Sequence, residues 1–341
     1  MYLNIEPILN VLYMECYESA LASVANYYRK GFTMIFLNTW NFSYTSKSDT
    51  GMKLMGERIQ INGWNIEQLL EEYYGVSVVE KTDITSEEIF ETVIHQLTAG
   101  YPALVRFDQY YSPWASELEK ENKRYSGFYM IVGFDHFLEQ FDCLDIYYSK
   151  RIEKLPFKSF INGVIGDQCT TFKLLETAYE CIDITKVLNS IFLNIHFMDN
   201  ERNAFDEMRI LAKDISDIPD FFAEFNNEND INNAPMMKNI ASIFRGRGLF
   251  SITLSFLGHT FNSDEIVSYA KEMEKIAAEW YKVKGVMCKA LYLKSKDLIE
   301  KRIPEYIVEI AAREERIAAG LLNFFSSVTW RNQQKLTKEK G

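Results

Sequence analysis

Between residues 100 and 146 the chain alternates apolar runs of strand length with tight turns, and after about residue 150 its apolar spacing becomes helical almost to the end. After the mixed strand and helix spacing of the front, the later spacing is that of helices alone. It calls for an α+β front half followed by an all-helical back half. Three runs carry the expected sheet: Ala103 to Asp108 after the turn Gly100-Tyr101-Pro102, Gly127 to Asp135, and Phe141 to Ile146. The last two are neighbours joined through Asp135 to Gln140. Asn65 to Tyr74 and Ser86 to Thr98 read as helices, the second with Glu87 and Glu88 in its first turn, and Val76 to Val79 as a short strand between them. Phe32 to Tyr44 is aromatic-rich and Ser43 to Gly51 polar, which describes an irregular loop covering the core.

In the back half, Phe172 to Phe197, Ala204 to Phe225, Asn239 to Phe256, Asp264 to Tyr292 and Ile303 to Trp330 have helical spacing, the last with Pro304 in its first turn. Residues 1–160 and 161–335 are therefore the two expected domains, a division that suits 341 residues. The net charge of −11 is spread along the chain with no basic stripe, which excludes a nucleic-acid footprint and suits a cationic small substrate. Met1 to Asn10 does not read as a signal peptide, and no apolar run reaches the roughly eighteen residues of a membrane span. Five cysteines without paired spacing suggest a reduced, cytoplasmic protein, and no two of the four histidines are spaced as a metal pair, so no metal site is expected.

Cys16 falls where a helix should begin. Ala20, Leu21, Val24, Ala25 and Tyr28 recur on one face behind it, and Arg29-Lys30-Gly31 suits the helix end. A thiol at a helix N-terminus meets unpaired N–H groups and the positive end of the dipole, which favour thiolate. The alternative is a small buried thiol on a core helix.

With these residues laid out, the chain resembles the acyltransferase family typified by the butirosin biosynthesis protein H. The matching segments are Cys16-Tyr17-Glu18-Ser19-Ala20-Leu21, Gly100 to Tyr111, the strand Gly127 to Asp135 with Asp145 on the strand after it, Arg245-Gly246-Arg247-Gly248-Leu249-Phe250, and Glu279-Trp280. The resemblance implies a papain-like N-terminal domain and a helical C-terminal domain. It implies that an acyl or peptidyl thioester, borne on the phosphopantetheine of a carrier protein, passes through a cysteine to a small amine and forms an amide. No other cofactor is implied, and a homo-oligomer is left open. Carried over, Cys16 is the nucleophile, Asp145 orients a histidine, and Asn10 offers its amide to the oxyanion.

The chain departs from the family where the base should stand. Gly127-Phe128-Tyr129 puts Phe128 in the histidine position, and His136, eight residues on, lies beyond the strand. A glycine-rich segment usual before residue 50 is also replaced, by Phe36 to Phe42. Either Cys16 works without its usual base, or the protein is a degenerate relative that binds without turnover. Asp108, followed by Tyr110, is placed to hold a substrate amine or to make a structural hydrogen bond. Arg245 and Arg247 are candidates for the phosphate of the carrier arm, against the alternative of a turn between helices.

Overall fold

Among the described residues eight strands follow one another along the chain: Ser43–Tyr44 (β1), Ile59–Gln60 (β2), Val76–Lys81 (β3), Ala103–Asp108 (β4), Ser126–Asp135 (β5), Gln140–Asp145 (β6), Arg151–Pro156 (β7) and Val164–Leu174 (β8). They belong to a computed structural model that describes residues 1–9, 12–46, 54–61, 64–115, 126–146, 149–176, 182–196, 202–225 and 230–339. Contacts divide the chain into two units, Met1–Ile35 with Ile66–Glu180, and Phe36–Asn65 with Cys181–Gly341.

The first unit is mixed α+β. Its six-stranded sheet runs in the order β3-β8-β4-β5-β6-β7, with every neighbouring pair antiparallel. The expected strands at 103–108, 127–135 and 141–146 are present to within a residue. Two strands were not anticipated. β7 (RIEKLP) is an edge strand rich in charge, and β8 (VIGDQCTTFKL) buries Thr170 and Thr171 among its inner residues, so neither shows an apolar run. Because β8 lies between β3 and β4, the division expected at residue 160 is corrected: the front unit needs its chain through the sheet's last strand. Helix Ile184–Ile195 begins only after β8, so the helix expected from Phe172 is corrected as well.

Helix Cys16–Arg29 starts at the expected residue. Glu15 and Glu18 form a capping box, in which the Glu15 N–H donates to Glu18 Oε2 at 2.9 Å. At its other end Lys30, and not Gly31, takes the left-handed conformation, with φ of 56°. Helix Ser86–Thr98 has its own capping box from Thr85 and Glu88.

The second unit is built on helices Ala204–Asp217, Pro235–Thr260, Asp264–Leu293 and Ile303–Glu339. It also contains residues 36–65, which the sequence assigned to the front domain. That segment is not a loose cover. The Thr39 hydroxyl donates to the Gly246 carbonyl at 2.9 Å, and a Cβ at Gly246 would lie 2.2 Å from the Thr39 carbonyl oxygen. Glycine is therefore required at 246 for backbone to lie against backbone. The Glu224 carboxylate accepts the N–H groups of Met55 and Gly56, and Asn194 Nδ2 donates to the Leu37 carbonyl.

Glu314 is the anchor of this unit. Its carboxylate is fully buried and accepts from Trp40 Nε1 at 2.6 Å, Trp280 Nε1 at 3.1 Å, and Arg247 Nε and Nη2 at 3.0 Å each. Arg247 uses its remaining Nη1 on the Asn41 carbonyl. Helix Pro235–Thr260 is long and apolar enough to cross a membrane by composition, but 67% of its most apolar window is buried inside the protein. With Arg247 on its inner face it is a core helix.

Removing one partner of a buried ion pair leaves the other charge uncompensated, so Arg247→Met is expected to destabilise the helical unit by about 3–5 kcal/mol. The double variant Arg247→Met/Glu314→Leu should recover part of that loss. Denaturant unfolding followed by tryptophan fluorescence checks both; a single-variant loss below about 1 kcal/mol would contradict the role assigned to the pair.

Candidate active site

The pleat of β5 decides which side chains can meet. Register pairs Phe107 with Gly127, Arg106 with Phe128, and Tyr129 with Asp145. Side chains alternate across a strand, so Gly127 and Tyr129 share one face with Asp145, and Phe128 points to the other. There its ring packs on Tyr17 of the first helix, with centroids 5.1 Å apart. Phe128 is thus not where an imidazole facing Asp145 would start. The position on Asp145's face is Gly127, and a Cβ built there meets no atom within 4 Å among the described residues.

The fold does bring Cys16 and Asp145 to the same end of the sheet, where β5 begins and β6 ends. Cys16 is half-buried at the helix start, where the Phe128 backbone N–H and its own favour the charged sulfur. Asp145 is fully buried and accepts from Trp114 Nε1 at 2.7 Å. The carboxylate expected to orient a histidine therefore holds an indole. Trp114 stacks on Tyr129 with centroids 5.7 Å apart, Tyr129 stacks on Phe107 at 4.8 Å, and the Tyr129 hydroxyl shares a 2.7 Å hydrogen bond with Ser112.

The electrostatics correct the expectation of a ready thiolate. Burial pushes the Cys16 thiol up; the Phe128 and Cys16 N–H groups oppose this, while the charges of Asp145 and Glu15 add to it. The helix start does stabilise the anion, as expected, but desolvation outweighs it. Burial also raises the Tyr17 hydroxyl, reinforced by its hydrogen bond to Glu67 and by the nearby charge of Glu80.

The other candidates divide clearly. Asn10 lies outside the described residues. Asp108 is buried and its carboxylate accepts the Tyr110 N–H at 3.0 Å, capping a short 3-10 turn, which is the structural alternative. Tyr110 is exposed, its ring edge-on to Tyr111. His136 sits in the turn after β5, edge-on to Phe134 and Phe157, at the opposite end of the strand from Gly127. Arg247 cannot receive a phosphate, being fully buried on Glu314, and Arg245 lies over the Trp64 ring at 5.6 Å. Gly246 and Arg247 are packing surface of a helix in the second unit and not a turn between helices. Among the described residues no group of three or more His, Cys, Asp or Glu side chains is arranged to hold a metal ion.

Two residues of the site were not singled out from the sequence. Trp114 lies in the connection between β4 and β5, to which the sequence analysis assigned no site residue. Gly127 was read only as a strand start. No family model and no curated protein matches the chain.

Cys16 is expected to react with iodoacetamide with a pH midpoint above the ordinary cysteine value of about 8.5. Mass-spectrometric alkylation rates between pH 6 and 10 measure it; a midpoint near 7 would mean that the helix start dominates over burial.

Proposed function

We propose that the first unit is a papain-like acyl-transfer module and that Cys16 is its acyl-accepting thiol. The reading is supported above all by one placement: a half-buried cysteine on the first residue of a capped helix, Cys16–Arg29, in the same unit as the antiparallel sheet that carries Asp145. The ordered family motifs supply the substrate class. A carrier-borne thioester would be attacked at its carbonyl carbon by the Cys16 sulfur, the carrier's C–S bond would break, and the carrier would leave as thiolate. An amine would then attack the new thioester, forming the amide and returning the Cys16 thiolate, with the surplus amine proton passing to solvent or to the departing sulfur. The first step exchanges one thiolate for another and therefore needs little help from a base. The second step is where the missing imidazole costs most, since general-base catalysis typically contributes about 10²–10⁴-fold.

A second reading is favoured by a specific observation. Burial raises the Cys16 thiol, and Asp145 accepts from an indole and not from a histidine, which suits a protein that binds an acylated carrier or its product without turning it over. Both readings take the same partner, and they differ in whether a covalent adduct forms.

Incubation with acyl-loaded carrier protein, followed by intact-protein mass spectrometry, separates them. The transferase reading expects an acyl adduct that forms at pH 8.5, is absent in Cys16→Ala and is released by a small amine. Stable carrier binding by native gel with no adduct at any pH would favour the binding protein.

A further inference from the structure

The chain leaves the first unit at Ile35 and returns to it at Ile66, and the residues between belong to the second unit. The outgoing end is fastened to the helix that receives the returning end. Arg29 Nε, at the close of helix Cys16–Arg29, donates to the Tyr74 carbonyl at 2.9 Å, and the Met34 N–H donates to the Tyr74 hydroxyl at 3.0 Å. Tyr74 closes helix Ile66–Tyr74, which starts where the excursion ends. Residues 36–65 are thus an arm that leaves from one helix of the first unit and comes back to another, and its two short strands, β1 and β2, pair antiparallel as a hairpin.

We propose that residues 181–341 are a binding module for this arm, and that their grip on it holds 1–180 and 181–341 together without need of the peptide bond that joins them. Carboxylates of the module accept main-chain N–H groups of the arm: Glu207 from Tyr44 at 3.0 Å, and Glu224 from Met55 and Gly56 at 2.9 and 3.2 Å. Its donors take the arm's carbonyls, Asn239 Nδ2 that of Gly56 at 2.8 Å and Arg247 Nη1 that of Asn41 at 3.0 Å. Main-chain bonds of this kind give affinity, and the side chains of the ligand give selectivity. Trp40 is buried, its ring stacked on Phe250 at 5.0 Å and its N–H on Glu314. Tyr44 is buried with its hydroxyl donating to Asp214 at 2.7 Å. Gly56 admits no side chain, because a Cβ there would lie 2.2 Å from the Met236 nitrogen. The ligand that fits is a hairpin arm bearing a tryptophan, a tyrosine four residues on, and a glycine where it lies closest to the helices.

The fit is reciprocal. Carboxylates are costly to bury unless donors meet them, and Glu207, Glu224 and Glu314 are all buried. The arm brings donors to each of the three, and its buried Arg58 adds a second side-chain donor to Asp214, from Nη1 at 3.1 Å. In return the arm buries Phe36, Leu37, Phe42 and Met55 in the second unit. Every one of these contacts is made by residues 36–46 and 54–61 of the arm. Fixing both ends of the arm in the first unit lowers the entropy that the module must overcome to order it.

The test cuts the folded full chain. A site-specific protease sequence inserted after Glu180, at the boundary between the units, yields the pieces 1–180 and 181–341. They should remain one species on size exclusion at micromolar concentration without denaturant. Trp40→Phe keeps a ring against Phe250 and removes the donor to Glu314. In the cut protein it should weaken the association by about tenfold or more, read from a dilution series. Pieces that separate as soon as the chain is cut would overturn the inference. So would an association that Trp40→Phe leaves unchanged, since something other than the arm would then join them. Should uncut Trp40→Phe fail to fold by circular dichroism, Asn239→Ala takes its place: it removes a half-buried donor to the Gly56 carbonyl and should weaken the association by about fivefold. An unchanged association in that variant would overturn the inference in the same way. None of these readouts involves the Cys16 thiol, so the arm's role stands or falls apart from the acyl-transfer reading.

Discussion

One buried carboxylate, Glu314, ties together four stretches of the second unit that lie far apart in sequence. It accepts from Trp40, Trp280 and twice from Arg247, so the segment 36–65 and three long helices share a single charged centre. Full burial of such a pair is costly unless every donor and acceptor is satisfied. Here Nε, Nη1 and Nη2 of the guanidinium all donate, and both carboxylate oxygens accept. The consequence reaches the sequence motifs. An Arg-Gly-Arg-Gly run that reads as an anion site is instead a place where one arginine is sealed in and one glycine lets the Thr39 backbone lie on the helix.

The first unit depends on a different constraint, the register of one hairpin. Its turn pairs Asp135 with Gln140, and continued without interruption that register would set Asp145 opposite Met130, with Phe128 on the same face. The structure instead shifts register between Ile131 and Gly133, so that Asp145 faces Tyr129. A one-residue shift exchanges the two faces of a strand. It turns Phe128 toward Tyr17 and brings Gly127 to the side of Asp145.

Much of this was legible in the sequence, for identifiable reasons. The Cys16 helix, the Ser86–Thr98 helix and the central strands have strong periodicity and strong end signals, and they fall where expected. Two strands, β7 and β8, were hidden because their buried positions are filled by threonine, cysteine and isolated apolar residues rather than an apolar run. The residues 36–65 were attached to the wrong unit because proximity in sequence is the only guide when a segment lacks periodicity. The site was legible as a set of residue types but not as a geometry: no pattern announces a register shift, nor an indole from a connecting loop closing on a carboxylate.

Under the proposed reading, Cys16 is a thiol that, among the described residues, has no histidine paired with it. Gly127→His places an imidazole on the face of Asp145, where a side chain meets no described atom at its root. The rate of Cys16 acylation by a small thioester at pH 7 is the most direct measure of whether the scaffold is complete in every other respect. A rise of at least about tenfold over wild type, lost in Gly127→His/Cys16→Ala, is the expected result. A folded Gly127→His protein whose Cys16 reacts no faster than wild type would contradict it.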